Sequence, residues 1–373
     1  IIETPYRDAL GVWGRVFKIS PGKNARQQIK SRFGVSARKS PVDSLITLGG
    51  AIINYPCPDK NWRPFALKAA RELWQQEKIE AVISSSPPVV SHLIGGELKA
   101  AHQVTWVADL RDLWSQNHNY IYGPVRKFFD RRLERKTLSK SDALVTVAEP
   151  WAEKLRSLHR GKPVVSITHG FDPAEVNSPP AKLTAKFTIT YTGSIYPGKQ
   201  DPVKLLDALR DLISEGAVKP GDIEVRFYGR EQDWLDNAIA QHGLSDVVKQ
   251  HGLVPRQVAL EKQRESQLLL LLDWDDPLER GVYAGKVFEY LAARRPILAT
   301  GGSRGDVVGE LLAETGAGVH APTLADIKDT LRQLYQQYRA TSAVAYHGDE
   351  AKVNQYSQRE MARKFAGLLD GNT

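Results

Sequence analysis

One carboxylate stands alone in the stretch GVYAGKVFEYLAARRPILATGG, residues 281–302. It is Glu289, in a segment otherwise glycine-rich, apolar or basic. Val287 and Leu291 fall four apart beyond Gly285, a spacing that predicts a short helix. Arg294, Arg295 and Pro296 stop it before a buried strand over 297–299, which Gly301 and Gly302 close. In such an α/β unit the loop before the helix lies at the ligand-binding edge of the sheet. The helix N-terminus there offers unpaired N–H groups to an anion. Lys286 adds a formal charge, and Glu289, one turn inside, could accept hydrogen bonds from a sugar diol. A phosphate cradle with a carboxylate one turn away suits the phosphates and ribose of a nucleotide. A surface helix with one solvated glutamate is the other reading of this stretch alone.

Three more turns point the same way. TYTGSIYPGK, residues 190–199, follows an apolar run. Gly193 and Ser194 would let the backbone approach a ligand there, and Lys199 could reach a pyrophosphate. RFYGR at 226–230 and QHGLVP at 250–255 each end a predicted strand in glycine, and Val254 could meet a base edge through its backbone. Four such turns at one sheet edge make a nucleotide cleft, provided the sheet is doubly wound.

In the first half, WVADLRDLW at 106–114 ends a strand in Asp109, Arg111 and Asp112. Such a cluster is costly to bury unless paired, so it is either a structural ion pair or a substrate contact. ISSSPP at 83–88 likewise ends a strand in hydroxyls and prolines, with His92 just beyond. His92 and His169 read more readily as structural than as catalytic residues. DWDD at 273–276 could chelate Mg or Mn, although a polar exit from a strand explains it as well. No GxGxxG follows a strand, and GxxxxGK[ST] does not occur. Those absences argue against dinucleotide oxidoreductases and P-loop NTPases.

The elements that must position these residues follow from the apolar pattern. Strands are predicted over 81–84, 104–108, 143–147 and 164–167, separated by helices over 62–78, 89–101, 125–138 and 150–158. THGFDPAEVNSPP, 168–180, has the composition of a linker. A second series of strands covers 187–191, 223–228, 247–250, 268–272, 297–299 and 318–320, and an amphipathic stretch over 350–369 has no strand after it. Parallel sheets covered by helices on both faces, in two domains, account for this alternation. The chain's 373 residues suffice for both. The single cysteine, Cys57, excludes an intrachain disulfide and favours an intracellular setting. No apolar run is long enough to span a membrane.

The net charge of +8 is uneven. Residues 7–39 hold nine Lys or Arg against one acid, interleaved with Trp13, Phe17 and Phe33. That composition suits an anionic membrane surface or phosphates, and no helix-turn-helix, zinc-finger or RNP-like pattern accompanies it to suggest nucleic acid. Residues 21–61 look irregular, and the strand, Gly-rich turn and helix that usually open a nucleotide-type domain are missing from 1–60. The chain begins Ile1-Ile2-Glu3 rather than with methionine and shows no secretory signal, so further sequence is expected before it.

Taken together, SSSPP, WVADLRDLW, ITHGFDP, TYTGSIYPGK, HGLVP and GVYAGKVFEYLAARRPILA resemble the retaining glycosyltransferases of the GT-B fold, family 4, in the bacterial branch that builds surface polysaccharides. The resemblance runs through most of the chain. It implies an α/β fold of two doubly wound Rossmann-like domains facing across a cleft, the first lacking its opening βα unit. The acceptor-side domain would cover 1–172, with the helix over 350–370 packing back on it, and the donor domain 181–349. The implied donor site comprises Gly193, Ser194, Lys199, Tyr228, Gly229 and Val254. It is completed by Gly281, Tyr283, Ala284, Gly285, Lys286 and Glu289. Lys199, Asp109, Arg111 and Asp112 would carry the chemistry, and Ser85, Ser86 and His92 would lie on the acceptor side.

Neither metal nor cofactor is implied, only a nucleotide-diphosphate sugar as donor, UDP-sugar favoured over GDP-sugar. The other implied partners are a lipid-linked glycan acceptor and an anionic membrane surface, at the inner face of the cytoplasmic membrane. Two departures stand out within the donor half. The first glutamate of the family's E-x7-E signature falls on Gly281, and the basic residue that often follows the first glycine is Ser194. A sugar-nucleotide epimerase of the same fold, or a non-catalytic nucleotide-sugar-binding subunit, are the alternatives.

Overall fold

The computed structural model describes residues 1–6, 54–120, 122–176, 181–276 and 279–371. The basic segment 7–39, most of the irregular stretch 21–61 and the expected absence of an opening βα unit lie outside the described residues. The chain divides into two compact units, Ile1–Ser166 with Gly367–Thr373, and Ile167–Ala366.

The first unit carries a parallel sheet of β1 (Ala81–Ser86), β2 (Thr105–Leu110), β3 (Ala143–Thr146) and β4 (Val164–Ser166), in that spatial order. Its helices are α1 (Arg63–Trp74), α2 (Val90–His102), α3 (Pro124–Leu138) and α4 (Glu149–Leu158). Each lies between successive strands or before the first, as the crossover connections of a parallel sheet require. Val107, Ala108, Leu110, Leu144 and Val145 of the sheet are buried, so the two central strands are mostly apolar, with Asp109 as the buried exception in β2.

The second unit begins with a four-residue helix, α5 (Pro173–Val176), inside the stretch that composition marked as linker. Its sheet is built from β5 (Phe187–Thr192), β6 (Ile223–Tyr228), β7 (Val248–Gln250), β8 (Leu268–Leu272), β9 (Ile297–Thr300) and β10 (Gly318–Ala321). The strands are all parallel and lie in the order β10-β9-β8-β5-β6-β7. Between and after them come α6 (Val203–Ser214), α7 (Asp233–Gln241), α8 (Arg256–Arg264), α9 (Lys286–Ala293), α10 (Val307–Thr315) and α11 (Leu324–Thr341).

The run LLLLL of β8 shows why a doubly covered strand lacks alternation. Leu268, Leu270 and Leu272 enter one core with Phe187, Ile189 and Leu331, while Leu269 and Leu271 enter the opposite one with Val287, Leu291 and Val308. The strand order runs outward from β5 through β6 to β7, then restarts at β8 beside β5 and runs outward the other way. The C-terminal ends of β5 and β8 therefore flank a topological switch point, where a crevice opens in doubly wound sheets.

The C-terminal stretch differs from the expected single helix. It breaks into α12 (Glu350–Asn354) and α13 (Gln358–Leu369). At the break the chain pairs with Phe171, whose N–H donates to the Tyr356 carbonyl at 3.0 Å and whose carbonyl accepts from Gln358 N–H at 2.8 Å. Residues 167–366, including the former linker and most of this stretch, group with the second unit, and only 367–373 with the first.

Candidate functional site

At the switch point of the second unit, β5 ends in Thr192 and Gly193. Gly193 takes φ of +110°, a value side chains disfavour. Its N–H donates to the Tyr228 carbonyl at 2.7 Å, which draws the turn after β5 against the turn after β6. A Cβ on Gly229 would lie 2.2 Å from the Gly193 carbonyl oxygen, so only glycine fits there. Gly229 N–H in turn reaches the Gly252 carbonyl at 3.0 Å. The ends of β5, β6 and β7 thus form one continuous backbone rim. Tyr228 is buried behind it, stacked on His251 with ring centroids 4.7 Å apart.

Lys286, the first residue of α9, reaches into this rim. Its Nζ donates to the Tyr191 hydroxyl and sits 3.9 Å from the centre of that ring. The hydroxyl in turn donates a hydrogen bond to the Ser194 carbonyl at 2.8 Å. A Cβ on Gly193 would meet Lys286 Nζ at 3.3 Å, so the ammonium lies directly against the turn. Burial pulls its pKa down to about 7, against the opposing pull of Glu289. A buried cation next to bare backbone at a switch point is poised to receive an anion, which would restore its charge.

Glu289 is half-exposed, one turn into α9. Arg256 of α8 lies 3.6 Å from one of its oxygens, and Gln263 Nε2 donates to the other at 3.4 Å. The same Gln263 amide donates to Thr192 Oγ1 at 2.9 Å, and Thr192 N–H reaches the Tyr290 hydroxyl at 3.0 Å. Glu289 is therefore tethered to the last residue of β5, with carboxylate lone pairs left over for a diol. Arg256, Gln263, Thr192, Tyr191 and Tyr290 were not singled out from sequence. The alternating helix pattern around Glu289 was the one signal that pointed near them.

Before α9, Gly281 is buried and its N–H donates to Glu279 Oε1 at 3.3 Å. Glu279 thus sets a carboxylate beside the position at which the resemblance expects one. Tyr283 and Ala284 pack against the core that holds Phe288, and Tyr283 lies 5.5 Å from the Phe288 ring. Gly285 caps α9 with open space where a Cβ would be. Val254 is half-buried beyond the β7 turn.

Lys199 occupies a different setting from the one expected. Its ammonium donates to Asp276 Oδ2 at 2.6 Å and sits 5.8 Å from the centre of the Trp274 ring. Asp275 pairs with Lys204 at 2.8 Å. Two carboxylates of DWDD are therefore neutralised by lysines. The third, Asp273, is buried and meets Asp306 and His320, their ligand-capable atoms all within 4.8 Å of one another. Burial, and then the facing Asp306, push the Asp273 carboxyl well above its usual range. Two carboxylates this close in a buried site hold one proton between them or a cation.

In the first unit, Arg111 Nε donates to Asp109 Oδ2 at 2.8 Å, and Ser85 Oγ donates to the same oxygen at 2.9 Å. Asp109 Oδ2 thus takes both bonds at the end of β2, and the buried Oδ1 is without a partner among the described residues. Asp112 stands apart, lining a cavity of about 330 Å³ with Ser86, Pro87, Trp114 and Tyr120. His92, expected on the acceptor side, lies in the interior of the first unit. The ring is wholly buried, between Ser84 Oγ and Ser86 Oγ at 2.8 Å each, and Ser84 also accepts from Trp106 Nε1. Burial lowers its pKa to about 3, so it stays neutral and locks β1 to α2. Ser86 itself is buried by this bond, whereas Ser85 faces Asp109.

Residues 31–168 match the family model of the glycosyl transferase 4-like domain. No curated protein matches the chain. Among solved structures, it is similar to HepE (Alr3699) of Anabaena in complex with UDP, at 13% identity and a TM-score of 0.61, over 83% of this chain and 82% of that one. It is similar to TarM, known from S. aureus, at 11% identity and a TM-score of 0.61, over 84% of this chain and 58% of TarM, so it spans under two-thirds of that protein's length. A glycosyltransferase from Rickettsia africae aligns over 98% of this chain and 93% of its own, at 13% identity and a TM-score of 0.58. At identities this low the likeness is one of fold, and that fold is GT-B, two parallel-sheet Rossmann-like domains.

Proposed function

We propose that the protein is a retaining glycosyltransferase that moves a hexose from a nucleotide-diphosphate sugar, UDP-sugar before GDP-sugar, to a lipid-linked glycan in bacterial cell-surface polysaccharide synthesis. The observation that carries this reading is the placement of Lys286 Nζ against the Gly193 turn, with Glu289 tethered to the end of β5 one turn away. A diphosphate fits the first and ribose hydroxyls fit the second. The match of residues 31–168 to a glycosyl transferase 4-like domain supports it, as does the UDP in the Anabaena structure of the same fold.

As the glycosidic bond breaks, negative charge grows on the leaving diphosphate. Lys286, the α9 N-terminus and the rim N–H groups, already oriented, lower that barrier without reorganising. Lys199 joins them if it exchanges Asp276 for phosphate. The transfer is metal-independent in this reading, as the resemblance to family 4 implies, and Asp275 and Asp276 are paired with lysines. Asp112, in the first unit's cavity, orients the acceptor hydroxyl, and the Asp109–Arg111 pair shapes its surroundings.

A second reading, nucleotide-sugar binding without transfer, is favoured by Gly281 in place of a glutamate and by the Lys199–Asp276 pair. Incubation of the full chain with UDP-glucose, UDP-GlcNAc and their GDP counterparts, followed by mass analysis of nucleotide and sugar products, decides between them. Release of UDP with sugar transfer or slow hydrolysis supports the transferase. An isomerised UDP-sugar makes the protein an epimerase. Saturable binding with no product in the presence of lipid-linked acceptor makes it a binding subunit.

A further inference from the structure

Over its first three turns helix α3 is built inside out. There it buries Arg126, Asp130 and Glu134, exposed by 9%, 2% and 0%, whereas Val125, Phe128 and Phe129 on its outer side are exposed by 71%, 65% and 52%, and Thr137 and Leu138 are buried at its C-terminal end. The buried side is a polar network, in which Asp130 Oδ1 and Ser115 Oγ are without a hydrogen-bond partner among the described residues. Arg126 donates to Asp130 at 2.9 Å and to the Pro56 carbonyl at 2.7 Å, Tyr120 donates to Asp130 at 2.6 Å, and Glu134 accepts from Ser115 N–H at 3.0 Å. A helix facing water would show the reverse pattern. Two adjacent phenylalanines and a valine at one end of an exposed helix face mark a surface that something apolar covers.

The other end of the same face is cationic. Arg131, Arg132, Arg135 and Lys136 line a cavity of about 860 Å³ with Arg160 and Lys162 from the loop after α4. Lys162 donates to the Ser141 carbonyl. Among the described residues, no carboxylate pairs with Arg131, Arg132, Arg135, Lys136 or Arg160. Like charges gathered this closely repel one another unless a polyanion is drawn to them.

We propose that this face docks on an anionic phospholipid bilayer, the Phe128 and Phe129 rings entering the boundary between headgroups and acyl chains and the arginines holding lipid phosphates. Charge complementarity selects an anionic partner, and the apolar end selects lipid over a free phosphate. Nucleic acid fits less well, because the two rings meet edge to face, 5.6 Å apart at 80°, and with aliphatic Val125 beside them form no flat stacking platform. The inference locates the membrane contact in the first unit, apart from the segment 7–39. Binding needs no turnover, so its failure and that of the transferase reading are separable.

The test is sedimentation of the full chain at low salt with phosphatidylcholine vesicles, with and without phosphatidylglycerol. Each cation near such a surface strengthens partitioning roughly fivefold, so Arg131→Glu/Arg132→Glu/Arg135→Glu should weaken it by about a hundredfold or more although segment 7–39 is intact. Phe128→Ser/Phe129→Ser should weaken it in a manner that added salt does not mask. Circular dichroism checks that both variants fold. Phe128→Cys carrying an environment-sensitive fluorophore, feasible because Cys57 is buried, should brighten with phosphatidylglycerol vesicles and not with phosphatidylcholine alone. Unchanged partitioning of both folded variants overturns the proposal. So does absence of vesicle binding, or displacement from vesicles by inorganic phosphate or a single-stranded oligonucleotide at matched charge.

Discussion

The Lys286 ammonium ties the donor site to pH. In the free protein it titrates at about 7, because burial opposes its charge. It is therefore about 90% charged at pH 6 and about 10% charged at pH 8. If a nucleotide sugar binds only the charged form, its apparent Kd carries the inverse of that fraction, and affinity falls about tenfold from pH 6 to pH 8. At pH 8 each binding event takes up roughly 0.9 proton, since bound diphosphate keeps the amine charged. The diphosphate of a nucleotide sugar has no group that titrates in this range, so the uptake belongs to the protein.

Calorimetry of UDP-glucose binding at pH 8, in two buffers of different ionisation enthalpy, measures it directly. Lys286→Met should weaken binding at pH 6, abolish the pH slope and remove the uptake. The sign on stability runs the other way. The unfolded lysine titrates near 10.5 and the folded one at about 7, so the folded state loses stability as pH falls towards about 7 and bears the full cost below it. Lys286→Met should thus raise the melting temperature of the free protein at pH 6 while weakening its ligand. Uptake below about 0.2 proton at pH 8, or a variant that keeps the wild-type slope, refutes this account of the site.

Other substitutions test the remaining parts. Glu289→Ala should cost donor use about tenfold or more with the fold intact, as one or two charge-assisted bonds of roughly 1.5–3 kcal/mol are lost; unchanged donor Kd and turnover in the folded variant would remove Glu289 from the site. Lys199→Ala should lower kcat more than it raises KM, because the charge it meets is largest in the transition state, and an effect confined to KM would make it a ground-state contact. Gly229→Ala drives a Cβ into the Gly193 carbonyl, so thermal denaturation should show a loss of about 1–3 kcal/mol along with weakened donor binding. Activity should survive EDTA. If chelation abolishes it and Mg or Mn restores it, Asp273, Asp306 and His320 become the metal site to test, by substitution of Asp273.

All ten strands among the described residues were legible in the sequence, with strand ends shifted by one or two residues, as were the four helices that accompany the first sheet. Strands buried on both faces favour apolar residues at successive positions, as LLLLL of β8 shows by entering a core on either face. Glu289 was legible too, as the one carboxylate in a glycine-rich and basic stretch. Its partners were not, because Arg256 and Gln263 come from a different helix and meet it only when α8 and α9 pack side by side.

Tertiary structure alone decided the state of each ionisable group. Sequence shows Lys199 and Lys286 as equivalent cations near glycine turns, yet one is paired with Asp276 and the other pressed against Tyr191 with its charge suppressed. It shows His92 beside serines, but not that those serines enclose it. In α3 it shows arginines, acids and phenylalanines in alternation, and only packing revealed that the charges of Arg126, Asp130 and Glu134 turn inward. The physical reason is common to all of these. Apolar periodicity is a property of neighbours along the chain, whereas solvation and charge pairing depend on distances between segments that the chain brings together only by folding.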